Sequence, residues 1–329
     1  FGFNHFEEIS HHSAHAACGL HQSPYEECLI LSSDSGGHEM QEDTIATFCL
    51  FHADKKKGIK KISNIPLDVC SPYTFLAMPI SEIYKTDEYS RFLTYAGKIM
   101  GLAAYGKVRD EWVPYFEEFY YGFANLDTLK KLGDRIGLDF SKINTIKGQL
   151  SADIAATSQH VFENIILMAI RPFLGRYKLP VILTGGGALN VLMNQQFRNL
   201  ISAPMHVPCN PNDCGSALGF MLLRNPPEKQ ISVQYNGFGI LDKHRLPEYV
   251  NKYGAKEVTV KDLARLITKG NIIGVMRGNS EVGARALGKR SILCDPSKKN
   301  MKDKLNKIKQ REFFRPFAPV CKQEDVNNY

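Results

Sequence analysis

Three consecutive glycines separate a short apolar run from a helical pattern in PVILTGGGALN (180–190). An apolar run with no polar alternation reads as a strand buried on both faces, which requires helices on both sides of a sheet. The pattern continues in kind: 188–200 reads as a helix, 205–207 as a strand and 213–223 as a helix. This alternation predicts an α/β fold with a mixed sheet whose ligands bind at the carboxyl ends of strands. Upstream, 27–33 reads as a strand stopping at DSGG (34–37), and 44–51 with 58–63 reads as a meander turned at DKKKG. Segments 88–100 and 151–177 read as helices. Ser151 is the expected cap of the second, in which Ile154, Val161, Ile165, Met168 and Leu174 recur at helical intervals.

A chain of 329 residues has room for two domains. The polar, proline-bearing RNPPEK (224–229) marks the boundary, giving domains at 1–229 and 230–329. Beyond it, 259–269 reads as a helix, 272–276 as a strand and 298–309 as a basic helix. Hydrophobic residues at 43% and charged residues at 23% are those of an ordinary globular protein, which excludes wholesale disorder. The longest apolar stretches fall well short of a membrane span, and no leader is visible before Phe1. Eight cysteines without a C-x-x-C pair suit reduced thiols in the cytoplasm. The net charge of +7 is concentrated at 298–315, where eight bases face two acids. This is a solvated helix face or a site for anionic small molecules; sparse aromatic interleaving argues against nucleic acid.

Five of the ten histidines fall within residues 5–21, with a core of SHHSAHAA (10–17). On a helix, His11 and His15 share a face and can converge on one metal, while His12 points elsewhere. A helical metalloprotease motif has a glutamate base after its first histidine, and here that place holds His12, so the motif fails. Asp34 at its Gly-Gly turn and Asp213 at a helix start are candidate partners, although turn formation and helix capping account for them equally well. Two imidazoles and two carboxylates suit Fe(II), with Mn or Zn as alternatives, better than Ca or Cu. The glycines at 185–187 and Gly215 lie at strand-to-helix turns, where backbone N–H groups can approach an anion or the chain can pack tightly. Their spacing is neither the Rossmann nor the P-loop pattern, and with 34–37 it suits a nucleotide cleft of the actin/sugar-kinase type.

Seven motifs in order carry a family resemblance: SHHSAHAA (10–17), SSDSGG (32–37), GKIMGLAAYGK (97–107), LTGGGALN (183–190), VPCNPNDCGSALG (207–219), EVGARALGKRSILCDP (281–296) and REFFRPFAP (311–319). The sequence resembles the nodulation and antibiotic O-carbamoyltransferases over nearly its whole length. The resemblance implies an actin-like ATPase-type (Kae1-like) domain followed by part of a YrdC-like α/β domain. It implies a metal, Fe(II), on His11, His15, Asp34 and Asp213. The adenylate-holding loop falls on Gly185, Gly186, Gly187 and Asn190, and phosphate-gripping arginines fall on Arg285, Arg311 and Arg315, with Arg290 nearby. Carbamoyl phosphate and ATP, with Mg, would give carbamoyl adenylate, and the carbamoyl group would pass to a small hydroxylated acceptor. A homodimer is compatible with this reading. The motif before Arg285 departs from the family's, with Asn279 where an arginine is common, Arg277 two places earlier, and Ala284 for proline. The family's first phosphate-binding turn and final S-x-N element do not appear, so the chain is expected to be a fragment. The stretch DIAATSQ (153–159) is similar to the tRNA threonylcarbamoyl-transferase subunit, whose chemistry is the next alternative, followed by a catalytically lapsed nucleotide-binding or regulatory protein and a metallohydrolase.

Overall fold

A computed structural model describes residues 7–40, 43–84, 93–239 and 242–328. The chain divides into two compact units, Phe1–Ser232 and Val233–Tyr329. The first is built on a five-stranded mixed sheet. β1 (Glu27–Glu39) is central, with β2 (Thr44–Asp54) and β3 (Gly58–Asn64) completing an antiparallel meander on one side. On the other side, β4 (Val181–Thr184) and β5 (Met205–His206) run parallel to β1. All four residues of β4 are buried, as its unbroken apolar sequence requires.

The strand expected to stop before Asp34 instead continues to Glu39. Its pairing with β2 shifts register between Ser33 and Gly37, so Asp34 lies in a bulge within the strand. Helix α1 (His11–Gln22) lies on this sheet. Ala14, Ala16 and Ala17 are fully buried, and a Cβ added at Gly19 would come within 2.8 Å of the Ile182 side chain.

Helices α2 (Cys70–Phe75), α3 (Ala96–Ala103), α4 (Val113–Tyr121) and α5 (Leu126–Ile136) precede the long α6 (Gln149–Tyr177). The helix expected over 88–100 is seen only as α3, because 85–92 lie outside the described residues. The α6 helix starts at Gln149 rather than behind a Ser151 cap. Its entrance is closed from outside by Glu82, which accepts from the Gly148 N–H (2.6 Å) and the Ser151 hydroxyl (2.8 Å). A carboxylate there also meets the positive end of the helix dipole. Among the described residues, no helix is long and apolar enough to cross a membrane.

Helix α7 (Val191–Leu200) follows the glycine turn, starting later than expected because Gly186–Leu189 form a 3₁₀ turn. Helix α8 (Ser216–Arg224) likewise follows a 3₁₀ turn at Asp213–Gly215. It presses against α1 so closely that a Cβ at Gly219 would lie 2.0 Å from the Ala14 carbonyl oxygen.

The second unit holds α9 (Leu246–Tyr253), α10 (Val260–Thr268), the antiparallel pair β6 (Ile273–Met276) and β7 (Arg290–Leu293), and α11 (Met301–Ile308). The Thr259–Asp262 capping box starts α10 where the sequence predicts. Helix α11 is shorter than the basic run expected to form it, and buries Met301 and Leu305.

The loop carrying the end of GKIMGLAAYGK is fixed to α6. A Cβ at Gly106 would lie 1.9 Å from the Ala152 carbonyl oxygen. Next to it, the fully buried Asp153 accepts from the Lys107 N–H (2.9 Å), the Gln149 amide (2.8 Å) and Arg109 Nε (2.7 Å). Burial alone would raise its pKa, but these donors together hold it below the ordinary carboxylate value. A depressed folded pKa stabilises the fold above the unfolded value of about 3.9 and loses that contribution as pH falls through the folded one. Asp153→Asn is therefore expected to cost on the order of 2 kcal/mol at pH 7, below the full buried-pair figure because Arg109 is 40% exposed. In urea titrations across pH, the deficit should close progressively as the pH falls below about 4. A deficit independent of pH would show that the charge is irrelevant.

Candidate metal centre

The rotation of α1 about its axis is set by His12. Its Nε2 is 2.9 Å from the Ala46 carbonyl oxygen and its Nδ1 2.7 Å from Ser32 Oγ. A carbonyl only accepts, so Nε2 carries the proton and Nδ1 accepts from the serine hydroxyl. Burial lowers the His12 pKa, in keeping with this neutral ring. The His12 backbone N–H donates to the buried Glu39 (3.1 Å), which also pairs with Lys61 (3.0 Å). With His12 committed to the sheet, helical spacing places His11 and His15 together on another face.

Their Nε2 atoms stand 2.9 Å apart. Asp213 Oδ1 lies 3.4 Å from the first and 3.3 Å from the second, and Asp34 Oδ2 lies 3.4 Å from His15 Nε2. One donor atom from each of the four residues falls within 4.8 Å of all the others. Adjacent donors about 2.1 Å from one shared cation stand roughly 3.0–3.4 Å apart, close to the four short separations here, so these residue types and spacings suit a small divalent ion. Burial would lower the pKa of His15, but hydrogen bonds to Asp213 and Asp34 raise it to about 9. Burial would raise the pKa of Asp34, but His15 and the Gly186 N–H lower it to about 2. Burial and then the His15 charge depress His11. The two carboxylates thus favour one positive charge at this point. His15 Nδ1 is buried without a hydrogen-bond partner, so packing and the centre itself orient the ring.

Three segments far apart in sequence are tied together here. Asp34 Oδ2 accepts from the Gly186 N–H (2.7 Å), and Oδ1 from the Ser35 N–H (2.7 Å). Gly185 sits at φ 80°, and a Cβ on it would lie 2.1 Å from the Ser33 carbonyl oxygen. A Cβ on Gly187 would meet Ser33 Oγ at 2.1 Å. The glycines therefore let the turn press onto β1. Asn190 exchanges hydrogen bonds with Gln159 in both directions (3.0 Å each) and accepts from the Met193 N–H at the start of α7. A Cβ on Gly215 would lie 2.2 Å from the Asn210 carbonyl oxygen. The helix-cap position before Asp213 is held by Asn212, so capping does not explain that aspartate. Thr184 Oγ1 reaches the carbonyl oxygens of both His15 (3.3 Å) and Pro211 (3.1 Å), and the Gly185 N–H donates to Pro211 O (2.8 Å). Sequence reasoning missed Thr184, because nothing in its residue type or spacing marks it.

In the second unit, Glu281 Oε1 accepts from the N–H groups of Leu287 (2.7 Å), Lys289 (2.7 Å) and Arg290 (3.2 Å), closing the loop that carries Arg285. Burial would raise the pKa of Glu281, but those donors lower it to about 2. Arg290 directs its fork at the carbonyl oxygens of Arg277, Gly278, Lys289 and Phe238, at 2.9–3.2 Å, and so braces the loop around β6 and β7. Burial and the charge of Arg315 lower the pKa of Arg311, which stacks on Phe317 at 5.5 Å. Glu281 was also missed as a site residue, since its role lies in backbone contacts.

Residues 4–222 match the family model described as Carbamoyltransferase N-terminus, and residues 264–329 that described as Carbamoyltransferase C-terminus. The chain therefore belongs to the carbamoyltransferase family. Nodulation protein NolNO of Sinorhizobium fredii is 30% identical, over 98% of this chain and 48% of its own. Nodulation protein NolO of Bradyrhizobium diazoefficiens is 28% identical, over 98% of this chain and 60% of its own. Among solved structures, full-length HypF in its phosphate- and nucleotide-bound form aligns at a TM-score of 0.37 and 14% identity, over 67% of this chain and 42% of its own. The chain spans about half the length of the curated relatives it matches.

Thr184→Val keeps the shape and removes the hydroxyl that links α1 to the Asp213 loop. It is expected to cost about 1–3 kcal/mol in urea unfolding, with Thr184→Ser costing clearly less. A loss in Thr184→Ser with Thr184→Val unchanged would mean that the methyl group, not the hydroxyl, matters.

Proposed function

We propose that this chain belongs to an O-carbamoyltransferase that uses carbamoyl phosphate and ATP and acts on a hydroxyl of a small metabolite in the cytoplasm. The observation that carries the reading is the meeting of His11, His15, Asp34 and Asp213 within 4.8 Å, in a chain of the carbamoyltransferase family.

The first half-reaction is assigned to the second unit. Carbamoyl phosphate loses orthophosphate with uptake of one water. The resulting carbamate oxygen attacks the α-phosphorus of ATP, and pyrophosphate leaves with Mg. Both substrates are polyanions, which planar guanidinium forks grip through paired hydrogen bonds. Arg285, Arg311 and Arg315 fill that role. Arg290 holds the loop, as its four carbonyl contacts support.

The second half-reaction is assigned to the first unit. The adenylate lies against the turn of Gly185, Gly186 and Gly187, with Asn190 and Gly215 shaping the wall. The acceptor oxygen attacks the carbamoyl carbon, the bond from that carbon to the AMP oxygen breaks, and the hydroxyl proton is released. The four-residue centre would hold Fe(II), with Mn or Zn as alternatives. Such an ion, when bound, polarises the carbamoyl carbonyl or lowers the pKa of the acceptor hydroxyl. Asp34, fixed by two backbone N–H groups, and His15, packed on all sides, keep the donor atoms in place before substrate arrives.

Two substitutions divide the reaction. His11→Ala is expected to abolish carbamoylation of the acceptor while leaving carbamoyl-phosphate-dependent pyrophosphate release within about three-fold of wild type. Arg285→Ala is expected to reduce pyrophosphate release by about a hundred-fold or more. Acceptor carbamoylation followed by mass spectrometry and pyrophosphate release followed colorimetrically are the two readouts. Undiminished carbamoylation in His11→Ala would refute the assignment of the centre.

A further inference from the structure

Asp213 is the one member of the centre with a largely exposed side chain, at 68%, so its place depends on the backbone that carries it. That backbone is held from α1. Gln22, at the last turn of α1, donates from Nε2 to Asn210 Oδ1 at 2.9 Å. The same nitrogen is 3.2 Å from the Cys18 carbonyl oxygen and 3.0 Å from Cys18 Sγ, while Gln22 Oε1 is 3.2 Å from Cys209 Sγ. Both Cys18 and Cys209 thiols point at Asn210 Oδ1, at 3.7 Å and 3.5 Å. Gln22 and Asn210 are 7% and 2% exposed. The Asn210 carbonyl oxygen in turn faces Gly215, at the far end of the turn that starts with Asp213. The helix that supplies two imidazoles therefore also holds Asn210, against which the turn that supplies the exposed carboxylate is closely packed.

We propose that Gln22 and Asn210 are positioning residues for the metal centre: their buried amide pair sets the distance of Asp213 from His11 and His15. The proposal rests on the metal reading given above. Neither residue touches the donor atoms. Every contact made to Asn210 Oδ1 comes from a donor, so an aspartate at that position keeps the acceptor while an alanine removes it.

Mn(II) titration of the full chain, followed by the loss of the free-ion electron paramagnetic resonance signal, tests this. Gln22→Met and Asn210→Ala are each expected to weaken Mn(II) binding about ten-fold. The double variant should bind no more weakly than the worse single one, because both remove the same link. Asn210→Asp should bind at least as tightly as wild type. Thermal midpoints of the metal-free variants are read alongside. Mn(II) affinity within two-fold of wild type in both single variants, with lowered midpoints, would show a purely structural pair and overturn the proposal alone. Additive losses in the double variant would overturn it too. His15→Ala is the control for the metal reading: if wild type takes up no Mn(II), or His15→Ala takes it up equally well, that reading falls and the proposal with it.

Discussion

Close approach of backbone to backbone is the constraint on which the first unit depends. The centre draws on α1, β1 and the loop before α8, and several of the close approaches around them leave no room for a side chain. At Gly185, Gly187, Gly215 and Gly219, a single methyl group would fall 2.0–2.2 Å from an oxygen of a neighbouring segment. No flexible side chain could swing aside at Gly185, Gly215 and Gly219, because the oxygens there belong to carbonyls. Glycine has another use at Gly37, where a Cβ would fall 2.2 Å from the ring of His11. The bulge around Asp34 and Gly37 thus turns one ligand inward and leaves space for another.

Once these segments meet, charge decides what the site can hold. Two carboxylates near two imidazoles, with Asp34 only 8% exposed, would be costly to bury without compensation. The protein compensates partly with neutral donors, the N–H groups of Gly186 and Ser35, and partly by drawing a positive charge to His15. A proton on His15 can supply that charge, and a divalent ion with the same neighbours would supply more of it to all four donors. The buried network of His12, Ser32, Ala46, Glu39 and Lys61 lies behind the centre and resists rotation of α1, which would separate the pair of rings.

Much of this was legible in the sequence, and what escaped follows a pattern. The sheet, the meander turned at Asp54–Gly58 and the helix–strand alternation after Pro180 follow from apolar periodicity and glycine placement, which report local conformation. His11, His15, Asp34 and Asp213 were readable because helical spacing and turn positions brought the right residue types forward, and the structure places them together. Boundaries were less legible. The α6 entrance depends on Glu82, a residue distant in sequence, so no local signal could replace the Ser151 cap. The bulge in β1 depends on pairing with β2, and without that partner Asp34 looks like a strand end. Thr184, Gln22 and Glu281 act through side chains whose partners are distant in sequence or are backbone groups that any residue possesses, so the local pattern gives no hint of their place.

The position of His12 bears on which chemistry the centre favours. In a helical zinc protease, the residue after the first histidine ligand is the base that activates water. Here that residue is His12, whose two nitrogens are both engaged, one with Ser32 and the other with Ala46, beneath the surface of the sheet. His12 is therefore not available as a base to a water at the centre. Asp34 is equally engaged, with Gly186 and Ser35 on its two oxygens. In the proposed reaction the adenylate is an activated acyl compound that water would waste, and neither His12 nor Asp34 is free to act as a base on that water. The same side chain that fixes the rotation of α1 is thereby withheld from the role that the base of a helical zinc protease plays.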